Sequence, residues 1–182
     1  MAYGRLFSAT CLSTLLAGFV QAASMSDTQI RRGEYLVNFG GCHDCHTPKI
    51  ITPSGPAPDK KRFLSGHPEN GRLSDVPKEL IGPERWGAVT NNDLTAWVGP
   101  WGTSFAANLT PDKATGLGSW SAKDFIATMR TGKHLGVGRP VLPPMPWFDV
   151  GTLNDRDLKA IFAYLHSLKS IVNKVPQPIS PQ

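Results

Sequence analysis

The chain has 182 residues, enough for one domain with a packed core and too few for two comfortable ones. With 40% apolar and 18% charged residues it is not a disordered chain, and its 18 glycines and 16 prolines call for short elements joined by loops. Three cysteines exclude a disulfide scaffold and a four-thiolate zinc site, while a net charge of +5 admits nucleic acid, an acidic membrane surface or an acidic protein.

Arg5 precedes an uncharged apolar run from Leu6 to Val20, which closes on the small residues Ala22-Ala23. About 15 residues is short of the ~20 that span a bilayer, so residues 1–22 read as a cleaved secretory signal peptide. Cleavage removes Cys11 and leaves Cys42 and Cys45 in residues 23–182, outside the cytoplasm, where nucleic acid is no longer a sensible partner. No later stretch is apolar enough to cross a membrane.

Ser26-Asp27-Thr28-Gln29 has the form of a capping box and opens a helix to about Phe39, with Ile30, Gly33 and Val37 on one face. Gly40-Gly41 ends it, and Cys42-His43-Asp44-Cys45-His46 follows at once. From Thr47 to Ala107, 61 positions carry eight prolines and seven glycines and no sustained period, so residues 49–107 read as a long irregular insertion. Within it, Val89-Thr90 and Leu94–Trp97 around Asn91-Asn92-Asp93 predict a small hairpin. Ser121 to Asp124 caps a further helix, whose apolar face is Phe125, Ile126 and Met129 and which ends at Gly132. Asn154 caps the last one, where Leu158, Ile161, Phe162, Leu165 and Leu168 form a stripe at helical spacing. The proline-rich tail, residues 175–182, is expected to lie extended on the surface.

Cys42-x-x-Cys45-His46 is the attachment pattern for c-type haem. Two thiols two residues apart reach two vinyl groups of one porphyrin as thioethers, and the adjacent His46 is brought under the iron as proximal ligand. Three other uses of such a pair compete. Zinc needs further ligands, a thiol oxidoreductase needs βαβ units, and a plain disulfide needs no His46. For a sixth ligand the chain offers Met25, Met129 and Met145, or His43, His67, His134 and His166. Met145 stands in Leu142-Pro143-Pro144-Met145-Pro146, a stiff non-helical frame suited to presenting one thioether. Met129 fits a core stripe, His166 a satisfied helix position, and His134 and His67 are fallback ligands. Trp97, Trp101, Trp120 and Arg130 are candidates to line a haem or pair with its propionates. Lys49, Lys60, Lys61, Arg62, Lys113 and Lys133 are candidates to steer an acidic redox partner.

Gly33-Glu34-Tyr35-Leu36 stands before Cys-x-x-Cys-His-Thr-Pro. Asn108-Leu109-Thr110-Pro111-Asp112, Thr115–Ser121, Asp124-Phe125, Arg130-Thr131-Gly132 and Pro144-Met145-Pro146 follow in order. This order, over residues 28–175, resembles a class I c-type cytochrome domain. It is most similar to single-haem modules related to the cytochrome c subunits of bacterial periplasmic dehydrogenases. The resemblance implies an all-α, cytochrome c-like fold of three or more helices around one covalent haem c, with His46 proximal and Met145 distal. It also implies that the first and last helices cross closely, Gly33 lying against Phe162 and Leu165. The chain departs from those subunits in carrying one haem motif where they carry three, and in its insertion.

The expected function is that of a periplasmic carrier, not an enzyme, which shuttles single electrons between redox proteins, a dehydrogenase or terminal oxidase among them. Two alternatives stand beside it: an electron-transfer subunit of such a complex, and an open-site haem protein that reduces peroxide or senses a gas.

Overall fold

The computed structural model describes Met1 and residues 16–181. Most of the expected export segment, Cys11 included, lies outside them. Helix α1 spans Leu16–Phe39, so the helix expected to open at Ser26 is already running ten residues earlier. Its C-terminal end falls where the sequence puts it. Gly41 follows with φ 63°, a left-handed conformation that glycine adopts freely, and turns the chain straight into the one-turn helix α2, Cys42–His46.

The remaining helices are α3 (Ala122–Thr131), α4 (Trp147–Val150) and α5 (Asp155–Ser167). In α3 the capping box is closed in both directions, Ser121 Oγ accepting from Asp124 N and Asp124 accepting from Ser121 N, and Gly132 ends it in the left-handed region. Asn154 caps α5 by accepting from Asp157 N. Leu36 and Val37 of α1, Phe125 and Met129 of α3, and Leu158, Ile161 and Leu165 of α5 bury one continuous core. Helix α1 crosses α5 at Gly33, as expected, but the surface it meets differs. A Cβ at Gly33 would overlap the Ala160 carbonyl group and come within 2.7 Å of Tyr164 Cβ. Phe162 instead turns toward α3, its ring 5.8 Å from that of Phe125. Beside the crossing, Arg32 pairs with Asp157 at 2.9 Å.

The fold is not all-α. Among the described residues, five strands form two antiparallel sheets, so helices and strands are mixed. Strands β1 (Lys49–Thr52) and β2 (Gly55–Pro58) make one hairpin; β3 (Val89–Thr90), β4 (Ala96–Gly99) and β5 (Gly102–Phe105) make a three-stranded meander. The β3–β4 turn is the hairpin expected at Asn91–Asp93. The other strands escape a search for period because none exceeds four residues and each pairs with its neighbour across a short turn, where alternation has no length to develop. From the tail, Ile179 pairs with Thr103 on the free edge of β5.

Among the described residues, no helix is long and apolar enough to cross a membrane.

Candidate functional site

One turn of helix sets the geometry of the motif. Cys42, Cys45 and His46 stand at i, i+3 and i+4, which places all three on one face of α2. Both thiols are free, and burial raises the pKa of each; the charge of Asp44 adds to the rise at Cys45. His46 is buried, and its Nδ1 lies 2.7 Å from the carbonyl oxygen of Ala107. Burial lowers the His46 pKa, so the ring is neutral. With Nδ1–H donating to Ala107, the lone pair is on Nε2. Two free thiols and one imidazole nitrogen with its lone pair, on one face of one turn, can hold a porphyrin by two sulfurs and its iron by one nitrogen.

The motif is fastened from several sides. Gly66 N donates to the His46 carbonyl at 2.8 Å, and Leu64 N donates to the buried Thr47 Oγ1 at 2.9 Å. Lys49 Nζ donates to the carbonyls of Thr47 and Asp93, at 2.7 and 3.2 Å, and to that of Asp44. It thereby closes the C-terminal end of α2 and ties it to the β3–β4 turn. Lys49 is therefore a structural cap rather than a free cation at the surface.

Met145 is half-buried and packs at the edge of the same core on which Cys42 lies. Its loop runs from Val141, whose N–H donates to Gly132 O, to Trp147, whose indole covers Gly132 closely enough that a Cβ there would come within 2.5 Å of the ring. Ser104 Oγ, on β5, donates to Pro143 O at 2.6 Å.

Met25 has its side chain outside those described, and His43 faces Asp44 through Nε2 at 3.4 Å with its buried Nδ1 unpartnered among the described residues; the remaining candidates are accounted for by local contacts. Met129 is core, and His166 Nε2 donates to Leu117 O at 2.9 Å. His134 sits edge-on to Trp120 with ring centroids 4.8 Å apart. His67 is fully buried against Phe105, its Nδ1 2.8 Å from Thr95 Oγ1, which makes it part of the insertion's interior. The Arg130 guanidinium is committed to the Gly151 carbonyl and to Asp155, leaving little of it for a propionate. Trp97 and Trp101 donate to Leu94 O and Ser104 Oγ. Among the described residues, no group of three or more His, Cys, Asp and Glu is gathered to hold a metal ion. Both sheets are local hairpins without the βαβ unit of a thiol oxidoreductase. Two surface clefts lie along the insertion and tail, one bordered by Arg62, Gly71 and Asn173 and the other by Arg72, Asn92 and Val98; neither borders the motif.

Sequence reasoning missed Ala107, Thr47 and Ser104. A carbonyl carries no side-chain signature, so Ala107 has none to read. Thr47 and Ser104 act across 17 and 39 residues, beyond any local pattern.

No family model matches the chain. Curated proteins do, and most of those matched are named as cytochrome c subunits of bacterial dehydrogenases. The chain is 29% identical to the gluconate 2-dehydrogenase cytochrome c subunit of Pantoea cypripedii over 177 residues, 91% of this chain and 32% of that protein. It is 27% identical to the cytochrome c subunit of the quinone alcohol dehydrogenase of Gluconobacter oxydans, over 94% of this chain and 29% of that protein. A shorter match, 38% over 90 residues, is to one of the subunits of the nicotinate dehydrogenase of Pseudomonas putida. The expected kinship with cytochrome c subunits therefore holds over most of the chain, which spans about a third of the length of the first two relatives.

Proposed function

We propose that the chain is an exported electron carrier holding one haem c, with Cys42 and Cys45 as its thioether anchors, His46 as proximal ligand and Met145 as distal ligand. The observation that carries this reading is the set on α2: two free thiols and a buried neutral imidazole oriented through Nδ1 by the Ala107 carbonyl. The relatives' shared name, cytochrome c subunit, supports it.

When bound, the haem supplies an iron that changes oxidation state by one electron. The chain's own groups set how readily it does so. The Ala107 carbonyl fixes the tautomer of His46 and raises the basicity of Nε2. Met145 brings a soft, neutral thioether, which raises the potential relative to a second histidine. Its prolines limit how far it can swing away, and so would keep peroxide and oxygen from the iron.

Intact mass under denaturing conditions tests the anchors: the protein from its own periplasm exceeds the polypeptide, cleaved near Ala23, by one haem. A mass equal to the bare chain ends the reading. Replacing Met145 with Ala tests the distal ligand. The ferric Met–iron charge-transfer band disappears, the potential falls and carbon monoxide binds readily. An unchanged ferric spectrum returns the open-site enzyme or gas sensor.

The relatives favour a second reading of the same site, in which the carrier works docked on a dehydrogenase rather than diffusing between partners. Gel filtration of the native extract separates the two. Elution of the haem with a large subunit supports the docked form.

A further inference from the structure

Pro143, Pro144 and Pro146 have no N–H, so between Leu142 and Pro146 the loop has only two backbone donors, on Leu142 and Met145. A segment so poor in donors has to be gripped by its carbonyls. The carbonyls of Met145 and Pro146 accept from the adjoining helix α4; among the described residues, the one hydrogen bond that joins this stretch to a part of the chain distant in sequence is Ser104 Oγ–H to Pro143 O at 2.6 Å. Ser104 is 7% exposed, so the bond is shielded from water at its donor end, while Pro143 lies at the surface. Its hydroxyl is also oriented: Trp101 Nε1–H donates to Ser104 Oγ at 3.2 Å, which directs the hydroxyl proton on to Pro143.

The strand that carries Ser104 is itself pinned. It pairs with β4 on one edge, Ser104 facing Trp97 in register. On the other edge Thr103 exchanges two backbone bonds with Ile179, at 2.8 and 3.0 Å. Three residues beyond Ser104, the Ala107 carbonyl accepts from His46. Four consecutive residues thus grip both the turn that bears His46 and the loop that bears Met145.

We infer that Ser104, oriented by Trp101, is the positioning residue for Met145, and that the insertion exists in part to clamp the two ligand-bearing segments in one frame. The inference rests on the proposed His46/Met145 ligation. It assigns the insertion a role in ligand geometry that its loop-like composition does not suggest.

The test is the rate at which cyanide binds the ferric holoprotein. Cyanide takes the sixth position only when Met145 has left, so the rate reads the fraction of open loop. Ser104→Ala binds cyanide about fivefold faster than the wild type, the factor that one hydrogen bond of ordinary net strength is worth. Ser104→Thr keeps the hydroxyl and stays within about twofold of the wild type on the same grounds. Trp101→Phe loses only the orienting donor and falls between them. A wild-type rate in Ser104→Ala overturns the inference, and so does an equal acceleration in Ser104→Thr, because packing rather than the hydroxyl is then at work. Should Ser104→Ala fail to load haem, Trp101→Phe decides, and a wild-type rate there overturns it. Met145→Ala keeps the two layers apart. If the wild type binds cyanide as fast as Met145→Ala, the ligation and the inference fall together. If Met145→Ala is fast while the wild type and Ser104→Ala are equally slow, only the inference falls.

Discussion

Between α1, α3 and α5 the buried contacts are mainly apolar, and between Lys49 and Ala107 they are mainly polar. The helices bury Val37, Leu158, Ile161 and Leu165 against one another over a wide face. In the insertion and at its threshold the buried side chains include Thr47, Ser65, His67, Thr95 and Ser104 beside Pro48 and Ala96, with Leu64 the one large aliphatic among those described. Apolar burial is non-directional and tolerates exchange of one hydrocarbon for another. The insertion is held instead by individual donors and acceptors, each matched to particular main-chain groups: Thr47 to Leu64, Asn91 to Thr95 and Ala96, Lys49 to three carbonyls, Asn173 to Ser65 and His67. The first region is a packed solid and the second is a set of ties. Damage to a solid lowers the stability of the whole, whereas a cut tie releases its own neighbourhood.

Leu158 is fully buried at the centre of the helical region, and its replacement gives the largest effect. Leu158→Ala lowers global unfolding free energy by about 2–5 kcal/mol, measured by denaturant melts of the holoprotein. A loss under about 1 kcal/mol would mean that the helices do not share one core. Gly33→Leu comes next. The added side chain meets the backbone of Ala160, which cannot swing aside as a side chain can, and the cost is about 1–3 kcal/mol. A variant that melts with the wild type removes the α1–α5 crossing.

For the insertion, the sharpest cut is Asn91→Ala. Asn91 Oδ1 accepts from Thr95 N and Ala96 N at 2.9 and 3.0 Å, and both residues are buried. The loss is about 1–2 kcal/mol, and hydrogen exchange accelerates in β3 to β5 while α1 and α5 keep their protection. Uniform acceleration across the helices breaks the contrast between solid and ties.

The smallest effect belongs to Arg32, on the exposed rim of the helix crossing. Its guanidinium donates to the Asp157 carboxylate and holds it below the ordinary carboxylate pKa. A depressed folded pKa contributes stability above the unfolded value, about 3.9 for Asp, and loses it as pH falls through the folded one. Arg32→Ala therefore lowers the melting temperature slightly at neutral pH, and the gap closes on acidification through that range. A gap that persists or widens at low pH shows that the pair does not act through its charge.

The same division governs what can be read in the sequence. Helices α3 and α5 are legible because their stripes and caps are local: Ser121 with Asp124, Asn154 with Asp157. The α2 site is legible for the same reason, since its thiols and imidazole fall within five residues. The insertion is not, because Thr47, Ser104 and Asn173 find their partners 17 to 108 residues away and nothing nearby announces them. Only the Asn91 turn, whose bonds stay within five residues, shows through. The α1 boundary fails differently: Ser26 has the residue type of a cap, but the residues before it continue the helix and leave no end for it to cap.

The position of Asn173 bears on the order of assembly. Its Oδ1 accepts from Glu69 N, its Nδ2 donates to Ser65 and His67, and its own N–H reaches Thr115. Together with the Arg32–Asp157 pair and the Thr103–Ile179 bridge, it joins the final third of the polypeptide to residues 58 to 125 positions earlier. Loops of that length close slowly, so the knot they form is tied after the local hairpins and helices are in place. Until then the turn bearing Cys42 and Cys45 is already coded in five adjacent residues while its surroundings are still open. The interval between these two events is when the haem proposed for this turn would enter, and closure afterwards would shut the door behind it.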